Sequence, residues 1–285
     1  MTLQARSIQK GIKDVTPNAI RVGDLDLLSV RHQKWNLLIP RRDLLVYYET
    51  FVMRPYASLK ITRGDRILDA GASIGDFTLQ AALATGGTGC VVALEPDPFY
   101  YSILCSNLKT NDVRNCIPLR IALADEAGSG FIEADKLQQR EAEEISTNVA
   151  VSTISVEDLL LKTELPCFDV IKLDIEGWEK LVFRKTSWLD SVRELVLETH
   201  GDTYLPIVKI LESKHFVVSL YQGRDMVQNI VEFVTRHPGD FIKMERISGG
   251  MALKRFLKYV MDPKKPPQIV SKSDTTLRIV QARRS

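Results

Sequence analysis

Two glycines and two acids lie where an apolar, strand-like segment passes into a helix-like one. Asp69, Gly71 and Gly75 form an Asp-x-Gly-x-x-x-Gly pattern, and Glu95 follows Gly75 by 20 residues, at the end of the next apolar segment. The first glycine allows a tight turn, the second allows close approach to a ligand, and the helix start offers free backbone N–H groups. An acid at the place of Glu95 can accept hydrogen bonds from both hydroxyls of a ribose. Together these features predict a nucleoside-binding site.

The pattern differs from the Gly-x-Gly-x-x-Gly fingerprint of dinucleotide sites. Ser73 stands where a second glycine would let the backbone touch a pyrophosphate, and Asp69 precedes the first glycine. A carboxylate at that place would repel a pyrophosphate but would suit a cationic ligand. S-adenosylmethionine carries an amino group and a sulfonium, so the charge of Asp69 favours this cofactor over a dinucleotide.

Four more polar residues follow the fourth and fifth predicted strands. Asp174 and Glu176 come after one, and Glu198 and His200 come at the end of the next. Neighbouring parallel strands end at one edge of a sheet, and residues two apart in an extended segment share a face, so we expect these side chains to converge. Asp174, Glu176 and His200 are the candidate catalytic residues. His200, with an ordinary pKa of about 6.5, is the natural general base.

Simpler roles are open for the same residues. His200 could be a hydrogen-bonding surface residue, and Glu176 could stabilise the start of a helix near Gly177. Carboxylates with one histidine could also hold Mg²⁺ or Ca²⁺ and acidify a hydroxyl. The pattern does not require a divalent metal, and no metal ligand is assigned.

Helix-like and strand-like segments alternate through the middle of the chain. Strands are predicted over 66–70, 90–94, 117–122, 168–173, 192–197 and 216–220. They are continuous apolar runs, which is typical of strands buried on both faces of a parallel sheet. The fold class is therefore α/β, doubly wound.

The chain is divided into three parts on the same grounds. Residues 1–60 are an N-terminal extension or lid, expected to be mostly helical because apolar residues recur with helical spacing after residue 41. Residues 61–235 form the core. Residues 236–285 are a C-terminal extension and tail, with a helix predicted over 252–260.

Composition excludes several classes of protein. Among 285 residues, 38 basic and 36 acidic side chains give a net charge of +2, which does not favour a dedicated nucleic-acid binder. No apolar run is long enough for a transmembrane helix, and the N-terminal residues have no apolar segment typical of a secretory signal. The four cysteines show no C-x-x-C spacing, so reduced thiols and a cytoplasmic location are expected.

Several segments are similar to motifs of known methyltransferases. The segment from Asp69 to Thr78, DAGASIGDFT, with ALEPDP at Ala93 to Pro98, resembles motif one and its acidic partner in class I S-adenosylmethionine-dependent methyltransferases. Further segments resemble the FkbM family: Glu49 to Tyr56, Ala122 to Asp125, Thr153 to Leu160, and IKLDIEGWE at Ile171 to Glu179. The resemblance spans roughly residues 49–200, and IKLDIEGWE is its most specific part.

The resemblance implies a Rossmann-like, mostly parallel seven-stranded sheet with one antiparallel strand near its C-terminal edge. It also implies O-methylation of a small-molecule or sugar hydroxyl. An RNA methyltransferase and a non-catalytic S-adenosylmethionine-binding subunit are the alternatives. The charge gives the RNA alternative little support, and the set of Asp174, Glu176 and His200 disfavours a pure binder.

The resemblance also assigns residues to the cofactor, and position along the chain indicates three for the acceptor. In the cofactor loop and the following helix they are Asp69, Gly71, Ala72, Gly75 and Phe77. Glu95 would hold the ribose, Pro96 and Asp97 would flank the adenine, and Asp125 would lie near the adenine amino group or simply form a turn. Glu49, Tyr56 and Glu198 are assigned to the acceptor.

Overall fold

The computed structural model describes residues 19–22, 25–133, 148–248, 250 and 278–284. The helix predicted over 252–260 lies outside these residues. The strands are β1 Ala19–Val22, β2 Leu25–His32, β3 Trp35–Pro40, β4 Arg66–Ala70, β5 Cys90–Leu94, β6 Cys116–Leu119, β7 Ala122–Leu123, β8 Gly128–Glu133, β9 Asn148–Ile154, β10 Val170–Leu173, β11 Glu194–Thr199, β12 Phe216–Leu220 and β13 Arg278–Arg284. The α-helices are α1 Leu44–Tyr47, α2 Asp76–Thr85, α3 Pro98–Thr110, α4 Val156–Thr163, α5 Glu179–Val182, α6 Tyr204–Ser213, α7 Gly223–Arg236 and α8 Pro238–Ser248.

A seven-stranded sheet in the order β12-β13-β11-β10-β4-β5-β6 forms the centre of the described structure. From β11 to β6 every neighbouring pair is parallel, and β13 runs antiparallel to both β11 and β12. The doubly wound α/β fold with one antiparallel strand near the C-terminal edge is therefore confirmed. Residues 278–284 complete this sheet, which corrects their assignment to a C-terminal tail.

Apolar side chains cover both faces of the sheet, as the continuous apolar strands predict. Leu68, Val92 and Ile171 lie in one buried cluster, which includes side chains of α4 and α6. On the other face, Ile67 and Val91 pack against α2. Burial on both faces leaves only the strand ends open for polar chemistry.

The N-terminal extension differs from the expectation of mostly helix. Among its described residues, β1, β2 and β3 form an antiparallel sheet, and the first helical turn begins at Arg41. Tyr48–Met53 then continues α1 as a π-helical turn. The strands form because alternate side chains of β2, such as Leu28 and Val30, are buried against the core.

Two asparagines, one in α3 and one directly after it, bind β3 to the core. Asn107 accepts from the Leu38 amide at 2.7 Å and donates to the Leu38 carbonyl, while Asn111 makes the same pair of bonds to Asn36. Asn107 also donates to the Ile74 carbonyl in the glycine loop, at 2.8 Å. The extension and the loop are therefore positioned by one fully buried side chain.

In the parts of the chain that the structure describes, no helix combines the length and apolar character needed to cross a bilayer. The four cysteines of the chain are free thiols, as the sequence predicts.

Candidate functional site

The glycine loop follows β4 directly and leads into α2. The amides of Gly71 and Ala72 both donate to the Leu94 carbonyl at the end of β5, at 3.0 and 2.9 Å. Gly71 and Gly75 adopt φ values of +77° and +85°, a left-handed conformation that favours glycine. The loop therefore turns across the carboxyl ends of β4 and β5.

Gly71 is needed for more than its φ angle. A Cβ atom at this position would lie 1.7 Å from the backbone oxygen of Asp174, at the end of β10. The comparable contact at Gly75 is 2.5 Å to Cδ1 of Leu104, the end of a flexible side chain. Gly71 thus brings the loop directly against the candidate catalytic segment.

We expect Gly71→Ala to lower the free energy of unfolding more than Gly64→Ala does. Both glycines have positive φ, so both variants carry the left-handed cost of about 1–2 kcal/mol. At Gly64 the added Cβ would lie 3.8 Å from its nearest neighbour, which is an ordinary contact. At Gly71 the added Cβ would force the loop away from Asp174, at a further cost of about 1–3 kcal/mol. Chemical denaturation of the two variants measures the difference, and equal losses would contradict the close approach.

Asp69 lies beneath the loop and is fully buried. Its carboxylate accepts a hydrogen bond of 2.5 Å from the Thr78 hydroxyl and forms an ion pair of 3.3 Å with Lys172. This placement corrects the expectation that the charge of Asp69 faces a cationic ligand, because the neighbouring lysine already balances that charge. Asp69 therefore stabilises the loop through Lys172, which bonds the Gly71 carbonyl.

Lys172 connects the loop to β10. The strand register places it opposite Asp69, and its ammonium group donates to the Gly71 carbonyl at 2.6 Å and lies 3.6 Å from Asp174. Burial alone would lower the pKa of Lys172, but the carboxylates of Asp69, Asp174, Asp76 and Glu198 raise it above its usual value. Lys172 is therefore a buried cation between the glycine loop and Asp174.

Glu95 lies at the end of β5, where the sequence predicts a ribose ligand. One carboxylate oxygen accepts from the Ser73 amide at 2.8 Å, and the other accepts from the Asp97 amide at 2.9 Å. Burial raises the pKa of Glu95 to about 7, despite these hydrogen bonds. The side chain is thus oriented by the loop, and its protonation changes near neutral pH.

The other predicted cofactor residues are spread around the loop. Asp97 caps α3 by accepting from the Phe99 amide at 2.7 Å, and Asp125 forms an ion pair of 2.8 Å with Arg184. Ala72 and Phe77 are buried, and Pro96 is partly exposed. These residues have structural partners, and their contacts to a cofactor stay predictions.

On the acceptor side, one tyrosine hydroxyl joins two carboxyl groups. The Tyr56 hydroxyl lies 3.2 Å from Asp174 and 3.1 Å from Glu198. A hydroxyl has a single proton, so it can donate to only one of them. Burial, with the charges of Asp174 and Glu49, raises the pKa of Glu198 well above its ordinary value. The Tyr56 hydroxyl therefore links the side chains that follow β10 and end β11.

His200 belongs to a second group at the same edge of the sheet. Its Nδ1 lies 3.0 Å from Oε1 of Glu179, and its Nε2 lies 3.4 Å from the exposed carboxylate of Glu176. The charge of Asp174 is also among the causes that raise the pKa of His200. The structure thus brings together the residues that the strand ends predict.

Two residues of the site were missed by the sequence analysis. Lys172 is not among the predicted site residues, yet it donates to the Gly71 carbonyl and pairs with Asp69. Glu179 is the last residue of the IKLDIEGWE segment, and its contact with His200 depends on how α5 packs, so no local sequence signal places it there. In the described part of the chain no cluster of three His, Cys, Asp or Glu side chains is arranged to hold a metal ion.

The sequence of this chain is similar to those of known methyltransferases. The model of the methyltransferase FkbM domain matches residues 69–222. A hexuronic acid methyltransferase, AglP, from Haloferax volcanii is 29% identical over 48% of this chain and 56% of its own length. The chain thus spans about half the length of the curated relative it matches.

Solved structures of methyltransferases are also similar. The methyltransferase FkbM from Methylobacillus flagellatus has 18% identity and a TM-score of 0.45, with 61% of this chain and 44% of that chain covered. The precorrin-6y C5,15-methyltransferase from Geobacter metallireducens has 13% identity and a TM-score of 0.41, with 87% and 91% covered.

Proposed function

We propose, because this chain belongs to the FkbM methyltransferase family, that it transfers a methyl group from S-adenosylmethionine to a hydroxyl group of a sugar or another small molecule. One observation carries the proposal: the glycine loop touches the backbone of Asp174 at the edge of the sheet where Tyr56 bonds Asp174 and Glu198, and where His200 directly follows β11. A nucleoside donor in the loop and an acceptor hydroxyl among those side chains would therefore be neighbours.

The residues at the loop fit the proposed cofactor. No side chain caps the start of α2 among the described residues, so its first amides are available to a ligand. Glu95 is held with its carboxylate at the end of β5 and can accept from ribose hydroxyls. S-adenosylmethionine, when bound, supplies a methyl group that an oxygen nucleophile can attack.

The residues on the acceptor side orient the nucleophile and move its proton. Asp174 and Glu198, joined through Tyr56, offer hydrogen-bonding groups to a polyhydroxyl acceptor. His200 is the general base, because its Nε2 lies beside the exposed carboxylate of Glu176 while Nδ1 is engaged by Glu179. In-line alignment of donor and hydroxyl supplies the rest of the rate increase.

The affinity for S-adenosylmethionine is expected to rise as the pH increases from 6 to 8. Burial raises the pKa of Glu95 to about 7, so the group is mostly protonated at pH 6 and mostly ionised at pH 8. Only the carboxylate accepts two hydrogen bonds from a ribose without a competing proton. Calorimetry across this range should show Kd falling with pH in the wild type and little change in Glu95→Gln. A pH dependence that survives in Glu95→Gln would assign it to another group.

A saccharide panel tests the proposed acceptor class. The relative AglP is a hexuronic acid methyltransferase, which supports a sugar acceptor for this chain. The purified protein would be incubated with S-adenosylmethionine and neutral, amino and acidic saccharides, and the products analysed by mass spectrometry. Addition of one methyl group to a saccharide, abolished by His200→Gln, is expected. Methylation of RNA with no reaction of any saccharide or other small hydroxyl compound would overturn the proposal.

A further inference from the structure

Glu179, the first residue of α5, is fully buried beside His200. Its Oε1 lies 3.0 Å from Nδ1 of His200 and accepts a hydrogen bond of 3.0 Å from the Gly177 amide. The other oxygen, Oε2, is buried and has no hydrogen-bond partner among the described residues. A carboxylate placed so deeply, with one oxygen committed to an imidazole, needs a reason beyond packing.

The contacts of Oε1 determine the tautomer of His200. Because an ionised carboxylate only accepts hydrogen bonds, as Oε1 does from the Gly177 amide, the hydrogen in its contact with the imidazole is carried by Nδ1. A neutral imidazole protonated at Nδ1 has its lone pair on Nε2. That nitrogen is the one beside the exposed carboxylate of Glu176.

We propose that Glu179 is a positioning residue, which fixes His200 in the tautomer whose Nε2 can take the proton of the acceptor hydroxyl. The proposal rests on the proposed function, because it names the residue that orients its general base. In the reaction the hydroxyl proton passes to Nε2, the new oxygen–methyl bond forms and the sulfur–methyl bond breaks. The imidazolium then releases its proton to water, so that one methyl group is transferred and one proton is released.

The charges around His200 agree with this role. Burial lowers the pKa of His200, but the hydrogen bond and charge of Glu179, followed by Glu176 and Asp174, raise it above its ordinary value. On the solvent side, Asp202 is paired with Lys180 at 2.5 Å. From the antiparallel strand, Arg278 stacks on the ring of Tyr204. Among the described carboxylates around His200, Glu179 alone both bonds the imidazole directly and is fully buried.

Glu179→Gln tests the inference, with Asp202→Asn as the matched control. The glutamine keeps the size and can still accept from Nδ1, but it removes the charge that stabilises the imidazolium. We expect the pKa of His200, followed by NMR of the histidine rings, to fall by about 1 or more in Glu179→Gln. It should stay close to the wild-type value in Asp202→Asn, since Asp202 is exposed and paired with Lys180. The chain has four histidines, so comparison with His200→Gln assigns the resonance.

The same variants separate positioning from a purely structural effect. In Glu179→Gln the acidic limb of the kcat–pH profile should move to lower pH by the same amount, with Kd for S-adenosylmethionine unchanged. The ring titration needs no substrate, so it tests the role of Glu179 even if methyl transfer to a hydroxyl is disproved. A His200 titration that is the same in wild type and Glu179→Gln would overturn the inference. Should Glu179→Gln be poorly folded, the nitrogen-15 shifts of wild-type His200 decide, since a neutral ring protonated at Nε2 would contradict it.

Discussion

Replacing His200 by glutamine is expected to lower kcat by about 100-fold or more and to leave Kd for S-adenosylmethionine nearly unchanged. General-base catalysis typically contributes a factor of 10² to 10⁴. The cofactor side of the site is built from the glycine loop and Glu95, whereas His200 contacts Glu176 and Glu179. Turnover with a methylated saccharide as product and calorimetry with the cofactor measure the two quantities separately.

The matched control is His215→Gln. His215 is exposed and immediately precedes β12, at the opposite end of the parallel strands from the site. Both kcat and Kd should stay at wild-type values in this variant. A parallel loss of turnover and cofactor affinity in His200→Gln would show instead that His200 supports the cofactor loop.

The largest loss of stability is expected for Lys172→Met. The variant keeps much of the side-chain volume but removes the cation between Asp69 and Asp174. Loss of one partner from a buried ion pair typically costs about 3–5 kcal/mol, because the other charge stays buried without compensation. Asp69 is fully buried and retains only the Thr78 hydroxyl, so this range applies to the free energy of unfolding measured by denaturant titration.

A double variant distinguishes charge from packing in this result. Adding Asp69→Asn to Lys172→Met removes the uncompensated carboxylate, so part of the lost stability should return. If the double variant is less stable than Lys172→Met by the full cost of a second independent mutation, the two residues are not energetically coupled. The loop would then be held by its glycines and by Asn107 rather than by the ion pair.

Much of the core could be predicted from the sequence because its signal is local. The strands over 66–70, 90–94 and 216–220 were predicted with the bounds that the structure shows, since each is a continuous apolar run between turn residues. The last strand, RIVQARR, was not predicted, because its charged residues resemble a solvated tail. It becomes a strand only through pairing with β11 and β12, and its Arg283 forms an ion pair with buried Glu194.

In the site, too, some features follow from local sequence and others depend on tertiary packing. Strand ends in a parallel sheet meet at one edge, so the convergence of Asp174, Glu198 and His200 follows from their positions in the sequence. The pairing of Lys172 with Asp69 depends on strand register, which a single sequence does not specify. The contact of Glu179 with His200 depends on how the short helix α5 packs against the end of β11, and no local pattern encodes it.

Calorimetric titration with S-adenosylmethionine, and separately with NADH, tests the central claim most directly. The buried Asp69–Lys172 pair, the glycine loop and Glu95 form the proposed nucleoside site, and Ser73 replaces the glycine that a pyrophosphate would need. We expect saturable binding of S-adenosylmethionine at one site per chain and no binding of NADH. Saturable binding of NADH with none of S-adenosylmethionine would contradict a methyltransferase site in this chain.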